Sequence, residues 1–372
     1  MPTSVDTSGW KLPINLGLND GTYCAQGAID VLQNHNSRVA LRNYSDGDNS
    51  ELRRLIAEEC GVTPQMVYLR NGSGPILKQV IPHLVRDSIK SSATRMFKHL
   101  TSKSGYPIIT PSLTYFKVPL GAMKKGLQVR LVPLKAENDF ALDLGDLEAA
   151  IKQGDGLVYL ATPNNPTGQV LVSRDEIEVL IKKYPKSTFW LDEAYVQYVD
   201  PAKHRYLADL VGQYPNVVCT RTFSFAYGMA AARIGYILAK QELIQTLESE
   251  VTNYRIPLLT ERMGVATLQD TQHLPDLRER SKAARDLLTQ RMAKWSGRLK
   301  VYPSEVNFLL VQTLDGPKAK AIGAGLLERG VKIKTFVPLQ DYTYDDLFRV
   351  TIGVDDENVF FADMLDEVME LI

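Results

Sequence analysis

Cysteine and histidine are scarce in this chain, net charge is absent, and no long apolar run occurs. Each absence removes a class of protein. The three cysteines (Cys24, Cys60, Cys219) are odd in number and widely spaced, with no CxxC pair. That argues against a disulfide framework and for a reducing, cytoplasmic compartment. The five histidines (His35, His83, His99, His204, His273) show no ligand spacing, so no metal is expected. Lys plus Arg total 43 and Asp plus Glu total 43, leaving no excess charge to attract nucleic acid or an anionic membrane. The expected partner is a small molecule. No stretch reaches the ~18 apolar residues of a membrane span. The opening MPTSVDTSGWKLPINLG lacks the basic and apolar regions of a signal peptide. A soluble protein is expected. At 372 residues the chain exceeds the roughly 250–300 at which single cores stop growing, so two domains are expected.

What is present is a strong periodic order. From Leu157 onward short apolar strands (GLVYLATP, TFWLDEAY, NVVCTRTFS) alternate with helices, one of them opened by a capping box of Ser173 and Glu176. Crossover units of this kind build a largely parallel sheet whose ligands gather at the strands' carboxyl ends. Asn165, Asp192, Tyr195 and the Thr222–Ser224 loop fall at such ends. Upstream, Asn71-Gly72-Ser73-Gly74 precedes an apolar-periodic helix over Pro75 to Val85. Small residues at a helix start let backbone N–H groups approach an anion, so a phosphate site is expected there. Residues 86–106 are markedly basic, with Arg86, Lys90, Arg95, Lys98, His99 and Lys103 against Asp87 alone. This segment reads either as a solvated surface loop or as a lid or dimer-edge element meeting an anionic substrate. After Arg233 the strands VYPSEVNFLLV, VKIKTF and FRVTIG, a helix around Asp276 to Lys294 and a final helix DENVFFADMLDEVMELI read as a second, α+β unit.

Three segments, ATPNNPTGQVL, FWLDEAYVQY and RTFSFAYGMAAARIGY, together with the later FRVTIG, carry a specific likeness. In order, spacing and residue type they resemble the pyridoxal-phosphate (PLP) enzymes of fold type I, and within them class I/II aminotransferases of the histidinol-phosphate aminotransferase kind. The likeness covers nearly the whole chain except the basic segment. It implies an α/β aminotransferase fold type I, with a large domain on a mostly parallel sheet and a smaller α+β domain. On that basis residues 1–40 form an N-terminal arm and part of the small domain, 41–255 the large PLP-binding domain, and 256–372 the small C-terminal domain. The resemblance also assigns roles. Asp192 faces the pyridinium nitrogen, and Asn165 and Tyr195 hydrogen-bond the ring oxygen. Gly72, Ser73, Gly74, Thr222, Ser224 and Arg233 hold the phosphate. Phe116 stacks on the ring, with Tyr115 in reserve. Tyr44 reaches the phosphate across a subunit boundary, which makes a homodimer the expected assembly. Arg349, whose planar fork meets a carboxylate bidentately, grips the substrate together with Asn165 and Asn307.

One position departs from the family. Where its members write S-K-A with the Schiff-base lysine, this chain has Ser224-Phe225-Ala226. Losing a positioned acid–base group typically removes ~10²–10⁴ of rate, so ordinary transamination is doubtful. Three readings stand open. The favoured one is an aminotransferase-like enzyme holding PLP or its amine form (PMP) noncovalently, with Asp192 tuning the cofactor and Tyr195, Tyr227 or a basic residue of 86–106 moving the proton. The second is a PLP-independent enzyme that reuses the pocket for an amino acid or phosphorylated metabolite, and the third a noncatalytic pseudoenzyme. Neither of the last two needs a cofactor. Retention of Asp192 favours the first, because a pyridinium gives a buried carboxylate a purpose. Arg349 points to an α-amino or α-keto acid; the substrate's side chain and the reaction outcome stay open.

Overall fold

The computed structural model describes residues 7, 9–34, 42, 49–72, 74, 80–81, 84–85, 96, 105–250, 256–314 and 318–372. In chain order the strands are β1 (Ile14–Asn15), β2 (Val67–Asn71), β3 (Ile108–Pro111), β4 (Val129–Val132), β5 (Leu157–Ala161), β6 (Thr188–Asp192), β7 (Val217–Thr222) and β8 (Ile234–Leu238). Then follow β9 (Leu299–Val301), β10 (Phe308–Thr313), β11 (Val331–Lys332), β12 (Lys334–Thr335) and β13 (Leu347–Thr351). Seven strands form the large sheet in the order β2-β8-β7-β6-β5-β3-β4. Neighbours from β4 to β7 run parallel. Strand β8 is antiparallel to both β7 and β2.

The apolar runs follow from burial on two sides. Along β5, Leu157, Tyr159 and Ala161 face one apolar layer with Trp190 and Val218, while Val158 and Leu160 face another with Phe189, Leu191 and Cys219. A parallel sheet covered on both faces gives continuous rather than alternating hydrophobicity. The same side-chain alternation sends Arg221 of β7 beneath the sheet, where it donates to Glu193 at 2.8 and 2.9 Å with both side chains out of water.

The second sheet is antiparallel, in the order β12-β13-β10-β9. The helices His273–Met292 and Asp355–Leu371 cover it through Leu288, Met292, Phe361 and Leu365. Strand β1 pairs parallel with β11 in a separate two-stranded sheet, and the Thr351 N–H of β13 donates to the Leu16 carbonyl at 2.8 Å, which ties the N-terminal segment to the antiparallel sheet. The strands expected over VYPSEVNFLLV and VKIKTF are broken in the structure. Residues 302–307 leave the sheet and dock on the large one, with the Glu305 N–H donating to the Gly168 carbonyl at 2.8 Å. Gly168 is left-handed (φ 74°), and a Cβ there would collide with Ser304. Glycine is required for that approach. Further along the same seam, the Tyr344 hydroxyl donates to the Ser112 carbonyl at 2.7 Å. The two sheets therefore meet over the carboxyl ends of β5, β6 and β7.

Candidate active site

Asp192 is the last residue of β6 and is 6 % exposed. The parallel pairing sets it beside Thr220 of β7 and Ala161 of β5. The Tyr159 hydroxyl donates to its Oδ2 at 2.6 Å and the Thr220 hydroxyl to its Oδ1 at 3.0 Å. Trp190 Nε1 donates to Thr220 Oγ1 at 3.0 Å, which turns the threonine proton toward the carboxylate. Burial pushes the Asp192 carboxyl up, while hydrogen bonds from Tyr159, Thr220 and the Ala194 N–H pull it down; the net direction is upward. The carboxylate is thus oriented by donors, and a cation brought to it would hold it ionised.

A cavity with about 400 Å³ of empty space, open solvent included, lies above Asp192 and is lined by Tyr115, Asn165, Tyr195 and Phe225 among others. Phe225 lies flat on Tyr195, with ring centroids 4.3 Å apart and planes 11° apart. The Tyr195 hydroxyl accepts from Asn19 Nδ2 at 2.9 Å and from Asn165 Nδ2 at 3.4 Å. Burial raises its phenol above the ordinary range. Asn165 Oδ1 in turn accepts from Arg349 Nη1 at 2.6 Å, and the Gly17 carbonyl accepts from Arg349 Nη2 at 2.7 Å. Arg349 is 5 % exposed and its Nε has no partner among the described residues. Burial lowers its guanidinium to about 10. Such a group is poised for an oxyanion, because an anion restores the solvation that folding removed.

Beside the cavity, Thr222 Oγ1 lies 2.9 Å from Ser224 Oγ and accepts from the Ser224 N–H at 3.1 Å. The Arg233 side chain packs on Gly72 so closely that a Cβ there would collide with its guanidinium. Gly72 is left-handed (φ 88°). The Thr222 and Ser224 hydroxyls and the exposed Arg233 guanidinium thus gather where β7 ends and β8 begins.

The structure thus brings together Asn165, Asp192, Tyr195 and Arg349, and separately Gly72, Thr222, Ser224 and Arg233. Tyr44 and Ser73 lie outside the described residues, as does the basic segment 86–106 except for Met96, Gly105 and Tyr106; of Gly74 the structure shows only that its site is open. Three of the expected residues do not line this cavity. Phe116 caps the helix Lys117–Lys124 and lines a neighbouring cleft with Lys334, whose ammonium lies 5.0 Å from its ring; Tyr115 is the aromatic in the cavity. Tyr227 turns away from the cavity and packs beneath the sheet, 3.4 Å from Glu59 Oε1. The chain reverses there because Gly228 presses on the backbone of Tyr23 and Cys24. Asn307 spends its amide on the carbonyls of Asn19 and Asp20 at 3.2 and 3.4 Å, so it holds the N-terminal segment rather than lining the cavity.

Tyr159, Thr220, Gly17 and Asn19 were not foreseen. A tyrosine inside the otherwise apolar GLVYLA was the available signal, since a buried hydroxyl requires a partner. Asn19 gave none: it is left-handed (φ 62°), and its contacts are to Tyr195 and Thr351, far along the chain.

A buried carboxylate and a cluster of hydroxyls with a guanidinium at the strand ends of a parallel sheet, faced by a desolvated arginine, match the scaffold of fold type I pyridoxal-phosphate enzymes. The profile of the family described as aminotransferase class I and II matches residues 13–360. The chain belongs to that family. It is 30 % identical over 333 residues to a histidinol-phosphate aminotransferase of Brevibacillus brevis, covering 88 % of this chain and 83 % of the relative. A Bacillus velezensis protein of the same name is 30 % identical over 367 residues, covering 97 % and 93 %. The solved structure of a histidinol-phosphate aminotransferase from Sinorhizobium meliloti, in complex with pyridoxal-5'-phosphate, superposes with a TM-score of 0.80 at 25 % identity, covering 98 % of this chain and 92 % of that one. Among the described residues no cluster of His, Cys, Asp and Glu could hold a metal ion, and no helix is long and apolar enough to cross a membrane.

Proposed function

We propose that this chain is an aminotransferase-like enzyme that holds PLP or PMP without a covalent bond and acts on an α-amino or α-keto acid. The observation that carries the reading is Asp192. A carboxylate raised by burial, yet gripped by Tyr159 and Thr220, is arranged for a cationic ring nitrogen. When bound, the cofactor's pyridinium would withdraw electrons from the substrate's α-carbon. Thr222, Ser224, Gly72 and Arg233 would hold its phosphate, and Asn165 and Tyr195 its ring oxygen. Arg349 would bind the substrate's carboxylate, with its orphaned Nε completing the fork. The name shared by the relatives, histidinol-phosphate aminotransferase, adds a phosphate as an alternative oxyanion for the same arginine. Phe225 occupies the position of the family's Schiff-base lysine and lines the cavity with a ring that carries no amine. The proton transfers of the reaction then fall to other groups. A homodimer in the cytoplasm is part of the same proposal.

The test is calorimetric and spectroscopic titration of the purified protein with PLP and with PMP, alongside Asp192→Ala. Tight binding by the parent and at least ~10²-fold weaker binding by the variant is expected, from the loss of a charge-assisted contact. Absence of binding by either form would reject the reading in favour of a PLP-independent enzyme or a pseudoenzyme.

A further inference from the structure

The cavity holds a phenol to which the family resemblance assigns only a reserve place in ring stacking. Tyr159 spends its proton on Asp192, and Tyr195 accepts hydrogen bonds from Asn19 and Asn165. Tyr115 differs from both. It lines the same cavity as Asn165, Asp192, Tyr195 and Phe225, it is half-buried, and its hydroxyl makes no hydrogen bond to any described residue. It shares that lining with Asp192 and with Asn165, whose Oδ1 accepts from Arg349 Nη1 at 2.6 Å, so the guanidinium and the phenol border one space through Asn165. Lys117 lies 5.9 Å from its ring centroid, which fixes the ring from outside.

We propose that Tyr115 is a substrate-contacting hydrogen-bond donor, whose hydroxyl bonds the α-oxygen of an acid held through its carboxylate by Arg349. This deepens the cofactor reading above and rests on it. Burial, with Asp192 adding to it, pushes the phenol up to about 12, so at neutral pH it keeps its proton and offers a donor rather than a base. A neutral donor at the α-oxygen matters most in this chain, because Phe225 can neither donate nor accept. With the cofactor's amine bound, a preplaced phenol would hydrogen-bond a polarised keto oxygen without reorganisation.

The test uses the PMP-loaded protein and two unreactive acids, lactate and propionate, which differ in the α-oxygen alone. Their affinities are measured by ligand-observed NMR for the parent and for Tyr115→Phe, with thermal melting to verify folding and calorimetry to verify that PMP binds. The parent should prefer lactate by about 10-fold, the worth of one hydrogen bond. In Tyr115→Phe that preference should collapse to within about 2-fold while propionate affinity stays unchanged. A preference that survives the substitution would overturn the proposal, because another group would then hold the oxygen. Equal weakening of both acids would overturn it too, since Tyr115 would be shaping the cavity and nothing more. If neither acid binds protein that does take up PMP, the acid site itself is wrong. If PMP fails to bind the parent, the cofactor reading has failed and this proposal falls with it.

Discussion

Arg349→Met separates function from stability at a single position. Arg349 is charged and buried, and burial lowers its guanidinium to about 10 from the ordinary 12.5. A drop of that size corresponds to roughly 3 kcal/mol against folding in the charged form. Because the folded value lies below the unfolded one, the penalty is full at neutral pH and eases only as pH rises through about 10. Opposing it are the hydrogen bonds to Gly17 and Asn165, at about 1.5–3 kcal/mol each for a charged donor. The two bonds total about 3–6 kcal/mol, so the charged side chain contributes a net of only about 0–3 kcal/mol to stability. Methionine fills similar volume, keeps the contact with Phe308 and removes the desolvated charge. The variant should therefore melt within about 5 °C of the parent. Its affinity for short carboxylates should fall at least ~10²-fold, since a fork of charge-assisted bonds is gone. Thermal melts and calorimetry with a carboxylate series read both quantities. A variant that loses more than about 5 kcal/mol of stability, or binds carboxylates as the parent does, would refute the assignment of Arg349 as an anion site held ready by desolvation.

The remaining predictions concern the other parts of the site and its support. Phe225→Lys should gain a reducible Schiff base with PLP, seen as a new visible absorption band and a borohydride-trapped mass increase at residue 225; no adduct there would show that position 225 is not the anchoring site. Tyr159→Phe removes a donor from Asp192, raises that carboxyl further, and should make PMP binding weaken at a higher pH than in the parent as pH falls; an unmoved binding profile would rule out the coupling. Glu193→Gln breaks the enclosed pair with Arg221 and should cost about 3–5 kcal/mol in denaturant unfolding, against less than 1 if the pair were idle.

How much of this was legible in the sequence depends on the range of the contact. Asp192, Asn165 and Thr222 were placed by strand ends and by short motifs, which fix a residue's position within a few neighbours. The choice between Tyr115 and Phe116 turned on one residue at the start of a helix, where a shift of one rotates a side chain by about 100° around the axis. In the structure Phe116 is the residue that precedes the helix Lys117–Lys124, and Tyr115 is the one that lines the cavity. Tyr227 packs beneath the sheet, and next to it Gly228 lies close against Tyr23 and Cys24, some two hundred positions upstream, a contact with no local signature. Asn19 and Gly17 reach Tyr195, Thr351 and Arg349 only because β1 pairs with β11, a topological fact with no local signature. The broken strands near Ser304 likewise follow from docking against Gly168 rather than from propensity.

The most direct test of the central claim is intact-mass analysis of the parent protein after saturation with PLP and borohydride reduction, paired with cofactor release on denaturation. The account predicts full cofactor release and no mass increase. A stoichiometric covalent adduct on any lysine would contradict it, because the cofactor would then be anchored by an amine that the cavity around Phe225 does not supply.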